Sequence, residues 1–164
     1  MRFIVNQKYW TIGDRFYIND DQGRAWFSVE GKIFTIGKKM TLFDNAGAEV
    51  YFLKQKLFSL TGRWELIQNS NVKGLFRRRV FNAPFSRVYF IESENFKYKI
   101  KGSVFAFNFR IYDLNNGNAE VATISKKILK IRDTYVVDVP DNNLDPTPFL
   151  VSALIIDATH HKKH

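Results

Sequence analysis

Gln55-Lys56-Leu57-Phe58-Ser59-Leu60 is the clearest copy of a basic-apolar signature that recurs along the chain. The other copies are Gln7-Lys8-Tyr9-Trp10-Thr11-Ile12, Gly31-Lys32-Ile33-Phe34-Thr35-Ile36, Arg78-Arg79-Val80-Phe81, Gly102-Ser103-Val104-Phe105 and Lys126-Lys127-Ile128-Leu129. Their spacing is about 24 residues, within the range that marks a repeated supersecondary unit. A unit of that length holds two strands of about five to eight residues and two connections, so each repeat reads as a β-hairpin and the whole as twelve strands. A propeller blade needs about forty residues and four strands, which this period does not supply.

About fifteen residues after each signature stands a turn former: Gly23, Gly47, Asn71, Asn95, Gly117 and Asn142. These are expected at hairpin tips with positive φ, because Gly and Asn tolerate left-handed backbone. Between tips the residues are largely aromatic and β-branched. Alternation is cleanest where Phe96, Tyr98 and Ile100 interleave with Lys97, Lys99 and Lys101, one face buried and one wet. Closure removes the adhesive edges such strands would otherwise expose, so the fold class expected is mainly β, a twelve-stranded antiparallel closed barrel.

After the acidic stretch 138–146 the pattern changes. Residues 148–160 read as a helix, with Thr147 as the cap and Pro148 at the first helical position. The run is apolar around nearly its whole circumference, so it is expected to be buried. It is about a dozen residues long, short of the roughly twenty that cross a bilayer, so the chain is not transmembrane on this reading. Twelve strands enclose more space than their own side chains fill, and this helix is the natural filling of the lumen.

Residues 1–164 form one domain on this reading, with no boundary visible. The chain has 45% apolar and 16% aromatic residues and no cysteine, which excludes disulfides and thiolate chemistry. The start Met1-Arg2-Phe3-Ile4-Val5 lacks a secretory core, so a cytoplasmic location is expected. A closed barrel offers no edge for self-pairing, so a monomer is expected.

The signatures, above all residues 55–60, together with Gln7-Lys8, Ser125-Lys126-Lys127, the stretch Asp133-Thr134-Tyr135-Val136-Val137-Asp138 and the terminal apolar helix running to His160-His161, resemble the LURP-one-related family across essentially the whole chain. That resemblance implies the tubby C-terminal-like superfamily, a twelve-stranded barrel around a central helix, similar in architecture to phospholipid scramblases. Relatives of this architecture bind phosphoinositides or act at membranes. No lipid-binding motif of theirs can be laid over this chain residue by residue.

Charge points the same way without the family. Twenty-five Lys and Arg against sixteen Asp and Glu give +9, which favours anionic partners. The candidate anion-binding residues are Arg77, Arg78 and Arg79, the alternating Lys97, Lys99 and Lys101, and Lys54 with Lys56. The plain alternative is that lysine keeps outward strand positions wet and discourages edge pairing. Three consecutive arginines cannot share one strand face, so at least one is expected to turn inward or occupy a bulge. The partner expected is an anionic membrane surface or phospholipid headgroup, with a protein partner as the rival. Nucleic acid ranks behind both, because the aromatics are expected at core positions and no reading element is present.

No nucleophile elbow or phosphate-binding glycine loop occurs, so the chain does not read as an enzyme, and no cofactor or resident metal is implied. His160, His161 and His164 are expected in a solvated tail. Asp138, Asp141 and Asp145 raise a calcium reading, but their spacing is not that of an EF-hand, and turn chemistry is the expected use. Asp157, inside the apolar helix, is expected either at the barrel mouth or beside a buried partner.

Overall fold

The structure, a computed structural model, describes residues 1–6, 15–32, 36–80, 86–129 and 132–160. Twelve strands precede one helix: β1 (Arg2–Asn6), β2 (Arg15–Asp20), β3 (Ala25–Lys32), β4 (Lys39–Asp44), β5 (Glu49–Gln55), β6 (Trp64–Gln68), β7 (Asn71–Arg78), β8 (Arg87–Ser93), β9 (Lys97–Ser103), β10 (Asn108–Asp113), β11 (Ala119–Leu129), β12 (Arg132–Asp138) and α1 (Thr147–His160). Each strand pairs antiparallel with its sequence neighbours, and β1 pairs with β12 to close the barrel. No sheet edge is left open, as the repeat implied.

The hairpin tips lie at one end of the barrel. At two of them an aspartate organises the turn. Asp20 Oδ1 accepts from the amides of Gln22 and Arg24, and Asp44 Oδ1 from those of Ala46 and Ala48. Gly23 and Gly47 then take φ of 81° and 83°, and the register shifts by one residue beside each turn. This is the three-residue hairpin with a glycine bulge, which adds twist where the barrel must curve.

Three of the six expected turn formers behave differently. At the β6–β7 tip, Asn69 and Ser70 carry the positive φ (50° and 64°), and Asn71 already pairs with Gln68 as the first residue of β7. Asn95 bends the β8–β9 connection without positive φ, its amide donating to Ser93 Oγ. Asn142 belongs to the connection into the helix and not to a hairpin. A regular period locates a turn to within about two residues, while side-chain bonding selects the residue that takes the left-handed conformation.

The helix threads the lumen from the tip end to the opposite end. Residues Thr147 to Ala158 are all buried, and inward side chains such as Phe3, Leu42, Trp64, Phe76, Ile91 and Phe109 close around them. Its start differs slightly from expectation. Pro146 carbonyl accepts from Leu150 N at 3.1 Å and Asp145 Oδ1 accepts from Thr147 N at 3.0 Å, so the capping carboxylate comes from Asp145 and Pro148 stands second in the helix. Asp157 has the buried partner: Tyr135 of β12 donates its hydroxyl proton to the carboxylate. Among the described residues no helix is long and apolar enough to cross a membrane.

Candidate anionic-ligand site

The up-and-down order divides the connections between two ends, and charge divides with them. The tip end carries Asp20, Asp21, Asp44, Glu94, Asp113, Asp141 and Asp145. Asp138 there is bound by Arg2 at 2.6 Å, Asp141 Oδ1 accepts from Asn143 N, and Asp145 caps the helix. Each of these three carboxylates therefore has a structural use, and among the described residues no group of three His, Asp or Glu converges as for a metal. A groove of about 620 Å³ opens beside them, and its arginines are already paired, Arg2 with Asp138 and Arg24 with Asp20. Asp20 is buried, which alone would raise its pKa. The amides of Arg24 and Gln22, Trp26 Nε1 and the Arg24 guanidinium outweigh that and hold it down to about 2.

At the opposite end the described connections, residues 36–38, 56–63, 79–80, 86 and 104–107, contain no carboxylate. They contain Lys38, Lys56, Arg63 and Arg79, and the strand ends beside them add Lys39, Lys54, Arg78 and Arg87. The helix C-terminus arrives here, with its partial negative charge, and Lys38 Nζ donates to the Ala158 carbonyl.

Within this basic end a pocket of about 310 Å³ lies between the β3–β4 and β5–β6 connections, lined by Ile36, Gly37, Lys39, Lys54, Gln55, Lys56 and Leu57. Lys39 of β4 stands directly across from Lys54 of β5, although like charges in that position destabilise a ladder. Lys56 lies beside them and is tied to Glu65 at 3.3 Å. Three ammonium groups thus stand around one concavity, and the one carboxylate among them, Glu65, lies across from Lys54 on β6 and is bound by Lys56.

The other expected residues separate by face. Arg77 points outward over the Phe90 ring at 4.5 Å, Phe90 stands across from Lys99, and Lys99 lies 5.4 Å from the Tyr112 ring. Lys101 follows two residues along the same face of β9. Arg77, Lys99 and Lys101 thus share one outer wall, away from the lysine pocket. Lys97 sits near the tip end, 3.9 Å from Glu92. Arg78 alternates with Arg77 and follows inward-facing Phe76, so it turns toward the barrel mouth, where its Nε is buried without a hydrogen-bond partner among the described residues. That inward arginine is the one the triple run required. Arg79 is exposed just past the end of β7.

Sequence reasoning missed four residues. Lys39 entered only as part of the total charge, because its position across from Lys54 is a matter of register. Phe58 and Phe105 were expected to fill the core with the other signature aromatics, yet both are exposed. The repeat places them at connections, where the strand alternation that would bury them has ended.

His160 is the fourth. It is half-buried on the last helical turn and pairs with Tyr89 Oη at 2.6 Å, so it is not part of a solvated tail. His161 and His164 lie outside the described residues. Burial first, then Arg87, Arg78 and Lys38, lower the His160 pKa below 6.5, while burial pushes Tyr89 up to about 12 against Arg87 and Arg78. A depressed imidazole pKa means the unfolded chain binds the proton more readily than the fold. Stability should therefore be full above pH 6.5 and fall as pH drops below it toward the folded value. Thermal melts between about pH 7.5 and about pH 5 test this: His160→Gln should flatten the decline, and an unchanged slope would assign the decline to other groups.

The family profile described as LURP-one-related matches residues 1–157. The chain belongs to the LURP-one-related family. An X-ray structure of an Arabidopsis thaliana protein is similar to this LURP-one-related barrel with a TM-score of 0.58 and 20% sequence identity, covering 98% of this chain and 92% of that one. At that identity the likeness carries the fold alone. No curated protein matches the chain in sequence.

Proposed function

We propose that this LURP-one-related barrel is a non-catalytic, monomeric binding module for phosphate-bearing anionic ligands, phospholipid headgroups in particular, acting at the cytoplasmic face of a membrane. The observation that carries this reading is the directly opposed Lys39 and Lys54 beside Lys56 in one pocket. Folding gains nothing from setting Lys39 against Lys54, and Glu65, across from Lys54 and bound by Lys56, offsets only part of the charge, whereas a bound phosphate would turn the remaining repulsion into charge-assisted contacts. Arg77, Lys99 and Lys101 supply a second, shallower basic surface on the outer wall, which adds long-range attraction. The closed barrel has no open edge to pair with a second copy, which supports the monomer.

The test is vesicle flotation with phosphatidylcholine alone and with added phosphatidylserine, at low and physiological salt. Lys39→Gln/Lys54→Gln should weaken binding to the anionic vesicles about 30-fold, from about 1 kcal/mol for each basic residue removed. Its melting temperature should stay nearly the same, because loss of the Lys39–Lys54 repulsion is set against loss of the attraction between Lys54 and Glu65 across the ladder. Equal binding by the variant would return these lysines to a solubility role. Competition by duplex or single-stranded nucleic acid at physiological salt would favour the nucleic-acid alternative, and absence of any anionic binding would favour a protein-interaction scaffold.

A further inference from the structure

Nine large apolar side chains are exposed among the described residues, and six of them, Ile36, Leu57, Phe58, Leu60, Val80 and Phe105, stand on connections at the basic end. The exposures decide the matter: Phe58 105%, Ile36 90%, Leu60 88% and Phe105 88%. Isolated exposed apolar residues are ordinary, but a group of this size on one end of a barrel marks an interaction surface. Phe58 also carries φ of 61°, an uncommon conformation for a bulky side chain. Its ring is fully exposed, and such backbone strain concentrates at functional sites.

We infer that this end of the barrel docks on an anionic lipid bilayer, with Ile36, Phe58, Leu60 and Phe105 entering the interfacial and upper acyl region while the lysines and arginines beside them meet the headgroups. Charge complementarity selects the occupant. The apolar residues share these connections with Lys38, Lys56, Arg63 and Arg79 and adjoin the strand-end residues Lys39, Lys54, Arg78 and Arg87, with no carboxylate in the described connections around them. An apolar protein surface would desolvate this excess of cations at a cost, whereas an anionic bilayer offers both hydrocarbon and phosphate. The acidic tip end then faces away, so the segregated charge sets orientation as well as affinity. The inference rests on the anion-binding reading and extends it, because a soluble phosphorylated ligand would use the pocket and leave the apolar connections in water.

The chain has no cysteine, so a single Phe58→Cys substitution carrying an NBD fluorophore reports on this connection alone, and Ala46→Cys at the acidic end serves as the control. On vesicles of phosphatidylcholine with phosphatidylserine, the label at 58 should brighten and shift to the blue, and the label at 46 should not change. Combined replacement of Ile36, Phe58, Leu60 and Phe105 by Ser should weaken vesicle binding by about tenfold or more, with the melting temperature unchanged because these side chains are outside the core. Binding that persists in the Ser variant, with a silent label at 58, would overturn membrane insertion and leave the headgroup pocket standing. Failure of the unsubstituted protein to bind any anionic vesicle would overturn both. Self-association that disappears in the Ser variant, with vesicle binding unaffected, would make this end a protein interface and likewise overturn the inference.

Discussion

Phe149→Ala should cost about 3–5 kcal/mol, a large part of the stability of a domain this size. Phe149 lies in the first turn of α1, fully buried, with its ring 4.9 Å from that of Tyr98 on β9. The barrel wall around it is held by hydrogen bonds from strand to strand. Collapse into the vacated space would require several strands to move together, so much of the cavity should remain. Denaturant unfolding measures the loss as a lower midpoint at unchanged slope. A cost under about 1 kcal/mol would mean that the helix contributes little to holding the barrel. A lower slope would mean that the variant barrel persists with its lumen partly emptied.

Gly102→Ala should be the most damaging of three glycine replacements, at about 3 kcal/mol or more. A methyl group there would lie 2.0 Å from the Asn108 carbonyl oxygen and 2.7 Å from Phe109 Cα, both backbone atoms of the paired β10 strand. No rotamer change can relieve a clash with backbone, so β9 and β10 must separate. Gly74→Ala, at 2.8 Å from the Glu92 carbonyl oxygen, should cost less. Gly47→Ala meets no atom but forces an alanine to φ of 83°, which costs about 1 kcal/mol. Thermal melts of the three variants should give that order, and a Gly102→Ala melt close to that of the unsubstituted protein would show that the strand pair can open without penalty.

The binding predictions run against the stability predictions. Removing Lys39 and Lys54 should leave the stability of the fold nearly unchanged while weakening its attachment to anions. Removing Phe58 and its apolar neighbours should leave stability untouched. A surface that gains little for the fold is the pattern expected where side chains are retained for a ligand.

Strand number, closure and the buried helix could all be read in the residue order, because each depends on periodicity and length. A period of two with aromatic and β-branched residues makes half-buried strands, a repeat of hairpin length sets their number, and twelve apolar-out-of-water helical residues need a lumen. The inward turn of one arginine in residues 77–79 was likewise a matter of alternation. Local order could not say that Phe58 and Phe105 are exposed, since they share the chemistry of buried strand aromatics such as Phe76 and Phe109 and differ in standing beyond the strand ends. Nor could it place Lys39 across from Lys54, bring His160 to Tyr89, or gather four separate connections into one apolar, basic end. Those juxtapositions join residues far apart in the chain. They exist only once closure fixes every strand's register, and register is a cooperative property of the whole barrel that no single segment encodes.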